Sequence, residues 1–529
     1  MDITSLTAPA VNATSGIWTS EGLVRRMWDG DPTVWSSDPD TPELADRLGW
    51  LRLHETSRSA VAEIRLVADD VAADSDHVVL CGMGGSSLAP EVFSKVIGAV
   101  DGRPELLVLD STHPAAVRAI RSKIDPSRTT FVISSKSGTT LETLSFFRYF
   151  YAEAGGDGSR FVAVTDPGSK LASMARERGF RAVFEADPDV GGRFSALTHF
   201  GLVPAAFIGV DIDALLDSAA GLAEHAADTV RDDPAAGIGI ALGEAAKQGI
   251  DKLTILTSPS LSAFPGWMEQ LIAESLGKDG TGIVPVADEP VGSPHEYGSD
   301  RVFMSYQLAG EHAPDLDSLA EAGVPVIGFE LEDVAALGQE MLRAEAFTAV
   351  AGAVLGVHPF NQPNVEAAKN FARDAMSGEL DLGGVRTLEG DEAVEALVAL
   401  VRGSGTGDYF GLHAYLQPGE ALWDELTNLR VAIRSVSGVA TTCGWGPRFL
   451  HSTGQLHKGG PEGGRFVQLV DGGGPELAVP ETDMTFGEII SAQAAGDHEA
   501  LVEAGRPVVQ VDVGEDAVGF VRSVVEALS

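Results

Sequence analysis

Small hydroxyl residues, one lysine and one glycine stand together at residues 134–143, which read Ser-Ser-Lys-Ser-Gly-Thr-Thr-Leu-Glu-Thr. The preceding residues 130–133 form an apolar run typical of a buried strand, and residues 144–150 carry apolar side chains at helical spacing. Hydroxyls, backbone N–H groups and an ammonium thus gather at a helix N-terminus, where the aligned peptide dipoles favour an anion. The pattern predicts a phosphate-binding loop at the carboxyl end of a parallel strand.

A glycine-rich loop, Gly-Met-Gly-Gly-Ser at residues 82–86, follows the strand predicted at residues 78–81. Its glycines allow backbone N–H groups to approach a ligand closely, and Ser86 offers a hydroxyl. The loop lacks the Lys-Ser/Thr ending of a nucleotide P-loop and the glycine spacing of a dinucleotide site. Two such loops on neighbouring strands suit a sugar phosphate better than a nucleotide.

Alternating strand and helix patterns position these loops and predict doubly wound parallel sheets. The predicted strands of the first series are residues 78–81, 106–109, 130–133, 161–164 and 183–185. Those of the second are residues 253–256, 283–286, 302–306 and 326–329. Strands at 409–416, 466–470 and 508–511 and helices near 422–436 and 486–504 are predicted after residue 369. The predicted units are an N-terminal helical segment (1–75), two sheet subdomains (76–210 and 235–376) and a C-terminal α/β extension (377–529).

Composition restricts the environment and the partners of the chain. Its 529 residues are too many for one core, and two cysteines are too few for a disulfide framework, which suggests a reducing compartment. A formal charge of -40 disfavours nucleic acid and anionic membranes, so a phosphate site must supply its own positive field. Neither a membrane span nor an export signal is visible in the sequence, and we therefore expect a cytoplasmic protein.

Five motifs occur in one order and resemble the glucose-6-phosphate isomerase family. They are Gly82-Met83-Gly84-Gly85-Ser86, Ser135-Lys136-Ser137-Gly138-Thr139-Thr140-x-Glu142-Thr143, Gly191-Gly192-Arg193-Phe194-Ser195, Gln270-x-x-x-Glu274-Ser275-x-Gly277-Lys278 and Pro359-Phe360-Asn361-Gln362-Pro363-x-Val365-Glu366-x-x-Lys369. The chain is most similar to the isomerase half of bifunctional transaldolase–phosphoglucose isomerase proteins. No barrel-length segment precedes these motifs, so transaldolase activity is not expected.

The resemblance implies an α/β fold with two sugar-isomerase (SIS-type) subdomains that form one active site. It implies a homodimer that interconverts glucose 6-phosphate and fructose 6-phosphate, in glycolysis and gluconeogenesis, without a cofactor. The sequence has no closely spaced His and Glu residues of the kind that bind a metal ion, so no metal is expected. The partner is a small-molecule sugar phosphate.

The resemblance also assigns roles to individual residues. Glu274, on a predicted amphipathic helix, becomes the base that moves a proton between C2 and C1. Arg193 stabilises the enediolate, because a fixed guanidinium offsets the charge that grows in the transition state. Lys369 is the ring-opening lysine. The residues expected to bind the phosphate or the sugar hydroxyls are Gly85, Ser86, Ser135, Lys136, Ser137, Thr140, Gln270 and Gln362.

The family's ring-opening histidine has no clear counterpart at its usual place between the base motif and the Gln-Lys motif. That interval contains His295, in a poorly matching context, whereas residues 449–460 (Phe-Leu-His-Ser-Thr-Gly-Gln-Leu-His-Lys-Gly-Gly) match better. We infer that this segment has moved along the chain and delivers His457 to the site, with His295 as the alternative. His358 is interpreted as structural.

Two other functions fit the motifs. A dual phosphoglucose/phosphomannose isomerase would use the same residues, although Lys136 favours glucose 6-phosphate because relatives with other substrates usually differ there. A non-catalytic sugar-phosphate sensor would keep the phosphate loops, but the presence of Glu274 and Lys369 argues against it.

Overall fold

The computed structural model describes residues 4–224, 230–365, 385–472 and 476–529, which contain three parallel sheets. Four helices precede the first sheet: α1 (Thr4–Ser20), α2 (Leu23–Trp28), α3 (Leu53–Thr56) and α4 (Val61–Asp74). Their buried side chains, Ile64 and Val71 of α4 among them, belong to the same core as the first two sheets, and so does Trp50 just before α3. No helix in the described ranges has the length and apolar character needed to cross a membrane.

The first sheet has the order β2-β1-β3-β4-β5, with all neighbouring strands parallel. Its strands are β1 (His77–Gly82), β2 (Glu105–Leu109), β3 (Thr129–Ser134), β4 (Phe161–Thr165) and β5 (Ala182–Glu185). Its helices are α5 (Leu88–Val96), α6 (Pro114–Lys123), α7 (Leu141–Glu153), α8 (Lys170–Glu177) and α9 (His199–Phe207). The five predicted strands are confirmed, because continuous apolar runs between glycine-rich turns are typical of a doubly covered parallel sheet.

The second sheet has the order β7-β6-β8-β9 and is also parallel. Its strands are β6 (Lys252–Thr257), β7 (Val284–Ala287), β8 (Arg301–Leu308) and β9 (Val326–Leu331), and all four were predicted. The accompanying helices are α10 (Ile212–Glu224), α11 (Pro234–Lys247), α12 (Phe264–Leu276), α13 (Asp317–Glu321) and α14 (Leu337–Leu355). Helices α11 and α14 pack closely, since a Cβ on Gly239 would lie 2.6 Å from the Val350 side chain.

The C-terminal region forms a third parallel sheet, of order β10-β14-β13-β11-β12. Its strands are β10 (Thr387–Leu388), β11 (Tyr409–Tyr415), β12 (Ala440–Trp445), β13 (Gly464–Val470) and β14 (Val508–Asp512). Its helices are α15 (Gly390–Arg402), α16 (Glu420–Ser437), α17 (Gly454–Gly459), α18 (Phe486–Glu503) and α19 (Ala517–Leu528). Of these elements, β11, β13, β14, α16 and α18 were predicted, whereas β10, β12, α15, α17 and α19 were not. The Ala-Thr-Thr-Cys-Gly-Trp sequence of β12 lacks the usual run of branched apolar residues.

The third sheet packs against both of the others. Tyr409 and Leu456 share an apolar cluster with Ala273 of α12. The Arg430 guanidinium of α16 donates to the carbonyl oxygen of Ala287, 2.8 Å away at the end of β7. Arg448, after β12, forms an ion pair with Asp110 at the end of β2, 3.2 Å away. The segment after β12 is therefore held close to the carboxyl ends of strands in the first two sheets.

Candidate active site

The two predicted phosphate loops lie side by side at one edge of the first sheet. Strands β1 and β3 are parallel neighbours that pair Gly82 with Ser134, so the residues after each strand emerge together. Within the second loop, the hydroxyls of Ser135 and Thr140 are 3.0 Å apart, and the Gly138 N–H donates to Ser135 Oγ at 3.2 Å. Hydroxyls and backbone N–H groups thus precede α7, as the anion-binding pattern requires.

Lys136 supplies the positive charge of this edge. Its ammonium lies 2.7 Å from a carboxylate oxygen of Asp166 and donates to the carbonyl of Pro188 at 3.0 Å. The Lys136 side chain is about a quarter exposed, at 27%. An incoming phosphate can therefore reach the ammonium but competes with Asp166 for it.

Close backbone contacts attach the first glycine loop to the Arg193 loop. A Cβ on Gly85 would lie 1.9 Å from the carbonyl oxygen of Gly192, so no larger residue fits without a shift of the backbone. Gly84 has a φ of +55°, and a Cβ there would lie 2.5 Å from the carbonyl oxygen of His451. The glycines of the first motif thus bring two other segments against the loop.

Arg193 is buried and joins three of the five motifs. Its Nη1 lies 3.3 Å from Glu274 Oε1 and donates to Gln362 Oε1 at 3.0 Å. Its Nε donates to Ser275 Oγ at 2.9 Å, and its Nη2 donates to the carbonyls of Pro359 and Asn361 at 2.8 Å each. The guanidinium is therefore fixed in orientation beside the candidate base.

Helix α12 presents Gln270 and Glu274 one turn apart on one face. Gln270 Nε2 donates to Glu274 Oε2 at 3.1 Å and to the carbonyl oxygen of His451 at 2.8 Å. The Glu274 side chain is 14% exposed, so it is largely desolvated but still open to a ligand. Glu274 thus lies between an amide on its own helix and the guanidinium of Arg193.

The histidine that the structure brings to this cluster is His451. Its Nε2 lies 2.9 Å from Glu142 Oε1, and Gln493 Nε2 donates to the same oxygen at 2.7 Å. Glu142 belongs to the phosphate-loop motif, and so His451 links that motif to Gln270. Sequence analysis missed His451 because residues 449–460 contain Leu-His twice, and only the fold separates the two.

The three histidines discussed from the sequence lie outside this cluster. His457 is 1% exposed, and its Nδ1 is 3.0 Å from His413 Nε2 inside the third unit. His295 is exposed on a short turn whose neighbour Glu296 accepts from Ser435 Oγ of α16. His358 contacts Pro42 O and the Phe360 N–H, as a structural residue would. Lys369 lies outside the described residues.

Lys278, two residues after α12, is a buried amine next to the site. Its Nζ donates to the carbonyl oxygen of His358. Burial, reinforced by the nearby Arg193, lowers the pKa of Lys278 to about 6. At neutral pH the folded chain therefore keeps this amine largely uncharged, which limits the positive charge around Arg193.

Replacing Lys278 by Met should stabilise the chain more at pH 7 than at pH 9. Between pH 6 and the ordinary lysine value of 10.5, the unfolded chain holds a proton that the folded chain lacks, so wild-type stability rises with pH. The advantage of Lys278→Met should therefore shrink by about 1–3 kcal/mol over those two pH units. Thermal unfolding followed by circular dichroism at both pH values, with the exposed Lys123→Met as control, measures this. A pH-independent difference would contradict the assignment.

Metal-ligating side chains do not gather at this site. In the described ranges, no three or more His, Cys, Asp and Glu side chains are grouped so as to hold a metal ion. The chemical groups that the site does bring together are two carboxylates, one guanidinium, amides, one imidazole and a hydroxyl-rich anion cradle. This set can open a sugar ring, move a proton between adjacent carbons and hold a phosphate.

Known proteins similar to this chain share both sequence and fold with it. The phosphoglucose isomerase family model matches residues 68–298. The glucose-6-phosphate isomerase of Rubrobacter xylanophilus is 33% identical over 394 residues, which cover 63% of this chain and 90% of that protein. A probable glucose-6-phosphate isomerase of Natronomonas pharaonis is 30% identical over 58% of this chain and 80% of its own length.

Solved structures show the same architecture. A hypothetical protein from Thermus thermophilus superposes with a TM-score of 0.61 at 27% identity, over 70% of this chain and 97% of that one. A glucose-6-phosphate isomerase from Chlamydia trachomatis gives a TM-score of 0.55 at 19% identity, over 70% of this chain and 86% of that one, and supports the fold alone. With the R. xylanophilus enzyme matched over nine-tenths of its length, the chain belongs to the glucose-6-phosphate isomerase family.

Proposed function

We propose that this chain is a glucose-6-phosphate isomerase that interconverts glucose 6-phosphate and fructose 6-phosphate through a cis-enediol. The observation that carries the proposal is the contact of Glu274 with both Arg193 and Gln270, next to two anion-binding loops. A lone carboxylate on a helix would indicate no particular chemistry. Fixed beside a buried guanidinium, it can act on a carbon acid whose conjugate base is an oxyanion.

The chemistry divides between Glu274 and Arg193. The Glu274 carboxylate takes the proton from C2 of the open-chain aldose, and the electron pair moves to form the C1–C2 double bond while the C1 carbonyl oxygen becomes an enediolate oxygen. The proton then returns from the Glu274 carboxyl to C1. The proton of the C2 hydroxyl passes to the C1 oxygen, so that C1 becomes a CH₂OH group and C2 becomes the ketone. Arg193 stabilises the negative charge of the enediolate. The hydrogen bonds from Arg193 to the carbonyls of Pro359 and Asn361 hold the guanidinium in place, and because these acceptors are neutral they leave its positive charge unpaired by them.

We assign ring opening to His451, in place of the His457 expected from the sequence. Its support is position: the His451 carbonyl binds Gln270, which binds Glu274, while its ring meets Glu142. The Glu142 carboxylate orients the imidazole as a carboxylate does in other His-dependent sites. Lys369 keeps the second ring-opening role that the resemblance implies.

The phosphate is assigned to the two loops at the edge of the first sheet. Lys136 gives the cation, and the hydroxyls and N–H groups of both loops give the donors; the residues are Gly85, Ser86, Ser135, Lys136, Ser137 and Thr140. These residues supply local positive charge and hydrogen-bond donors, which an anion needs in order to bind to a chain of formal charge -40. Gln270 and Gln362 are assigned to sugar hydroxyls.

The purified chain should convert glucose 6-phosphate to fructose 6-phosphate without added metal, and should act at least about tenfold less efficiently on mannose 6-phosphate. We expect the higher rate with glucose 6-phosphate because Lys136 favours this substrate. A coupled assay of both substrates, with chelator present, measures the two rates. Equal rates would establish the dual isomerase, and binding of both without turnover would establish a sensor.

Other properties are proposed on the family resemblance. We propose a cytoplasmic homodimer with structural units at residues 1–75, 76–210, 235–376 and 377–529. Within the described ranges, one chain supplies Arg193, Gln270, Glu274 and His451 together. In the proposed homodimer, the second subunit would therefore not need to contribute any of these four residues.

A further inference from the structure

A second cavity, of about 430 Å³, lies where the three sheets meet. Its walls come from α5, from the first turns of α12, from the end of β12 and from the segment after β12. Glu274, Arg193 and the phosphate loops do not line it. It is therefore separate from the candidate active site, although α12 contributes to both. Its volume falls in the range of pockets for small molecules.

A chain of three buried side chains ends at a ring on the wall of this cavity. Asp497 accepts from Lys458 Nζ and Gln468 Nε2, at 2.5 and 2.7 Å, and its Oδ2 lies 3.2 Å from His413 Nδ1. His413 Nε2 is in turn 3.0 Å from Nδ1 of His457, which lines the cavity. Within the described part of the chain, His457 Nε2 has no hydrogen-bond partner although it is buried.

The tautomers of this chain follow from its charged end. The Lys458 ammonium and His413 keep the pKa of Asp497 low against burial, so its carboxylate accepts and His413 Nδ1 donates. Burial lowers the pKa of His413, which leaves the ring neutral and makes Nε2 an acceptor. His457 Nδ1 must then donate to it, and His457 Nε2 keeps its lone pair. His457 Nε2 is thus a buried acceptor without a donor, in a ring that lines the cavity.

The cavity also contains carboxyl groups without a cationic partner. Glu269 of α12 accepts one long hydrogen bond, 3.3 Å from the Ala287 N–H, and Asp288 lies beside it on the wall. No Lys or Arg of the described residues forms an ion pair with either. Arg430, whose charge acts on both carboxyls, donates instead to the carbonyls of Ala287 and Thr441. Burial raises the pKa of Glu269 to about 7, as expected for a carboxyl that lacks a counter-charge.

The cations on the wall are already neutralised. Arg448 forms ion pairs with Glu91 and Asp110, and Lys95 forms one with Glu91 at 3.2 Å. The uncompensated charge of the cavity is therefore negative. Two indoles complete the wall, those of Trp423 and Trp445, with ring centroids 5.6 Å apart. Indole faces attract cations, and an anion such as a phosphate finds no free donor of positive charge here.

We propose that this cavity is a binding site for a small organic cation whose ammonium N–H groups donate to the Glu269 and Asp288 carboxylates. The ligand's charge supplies the counter-charge that these carboxyls lack, and its alkyl part packs on Trp423 and Trp445. Binding at this site does not require turnover at Glu274. The proposal is thus independent of the proposed isomerase activity.

Three probes of one length test the charge requirement by calorimetry: 1,4-diaminobutane, 1,4-butanediol and succinate. The diamine should bind the full chain at one saturable site, and the diol and succinate should bind at least about tenfold more weakly. Glu269→Gln and Asp288→Asn should each weaken the binding of the diamine by about tenfold or more, because each variant removes one charged acceptor. The exposed Glu321→Gln is the matched control and should bind as the wild type does.

Isomerase activity and thermal unfolding of the same variants separate binding from folding. Glu269→Gln and Asp288→Asn should keep wild-type turnover, and without ligand they should melt no lower than the wild type. The proposal would be overturned if the diamine showed no saturable binding, or if the diol bound as tightly as the diamine or succinate bound more tightly. It would also be overturned if both amide variants bound the diamine as the wild type does. If one variant fails to fold, the other gives the same comparison.

Discussion

Glu274→Gln should lower kcat for glucose 6-phosphate by about 10³–10⁴-fold and change KM by less than about threefold. The amide has the shape of the carboxylate, and its single oxygen can still accept from Arg193 Nη1, although the acceptor that faces Gln270 is lost. What it lacks is the basic oxygen that takes the proton from C2. Because substrate contacts stay, the loss should fall on the chemical step and not on binding. A coupled assay of initial rates over a range of substrate concentrations measures both constants.

The matched control for this variant is Glu269→Gln, on the same helix five residues earlier. It makes the same change of charge and shape, but its carboxyl faces the second cavity. Its kcat should stay near that of the wild type. A Glu274→Gln enzyme with near wild-type kcat, or an equal loss in both variants, would contradict the role of Glu274 as the base.

His451→Ala should lower the rate of ring opening by about 10²-fold, since general acid–base groups contribute at least that much. Exchange between the α and β anomers of glucose 6-phosphate requires ring opening but no transfer of the C2 proton. NMR exchange spectroscopy measures it with enzyme present. Glu274→Gln should still catalyse anomer exchange, whereas His451→Ala should largely lose it.

His457→Ala is the comparison that separates the two histidines. His457 hydrogen-bonds to His413 in the third unit, so its loss should affect stability more than anomer exchange. Normal exchange in His451→Ala combined with lost exchange in a folded His457→Ala would return the role to His457. His295→Ala, at an exposed turn, should behave as the wild type.

The two glycine- and hydroxyl-rich loops and the strands before them were predictable from sequence because their physics is local. Apolar runs that end in glycine and hydroxyl residues mark strand ends, and parallel strands bring their carboxyl ends to one edge. The register of Gly82 with Ser134 follows from that rule. Helix periodicity likewise placed Gln270 and Glu274 on one face.

The third sheet and the choice of histidine were beyond sequence reasoning because they depend on long-range packing. Strand β12 consists mostly of small and polar residues, and it lies at the edge of the sheet, where it pairs with β11. His451 and His457 have nearly identical local sequences. They differ because α17 turns His457 inward to His413, while the residues before α17 place His451 against Gln270.

The most direct test of the account is isomerisation in D₂O followed by proton NMR. As glucose 6-phosphate and fructose 6-phosphate equilibrate, the wild-type chain should introduce deuterium at C2 of the aldose and at C1 of the ketose, because the proton held by Glu274 exchanges with solvent. Glu274→Gln should show neither isomerisation nor deuterium. Conversion to fructose 6-phosphate without deuterium at either carbon after many turnovers would contradict proton transfer through Glu274.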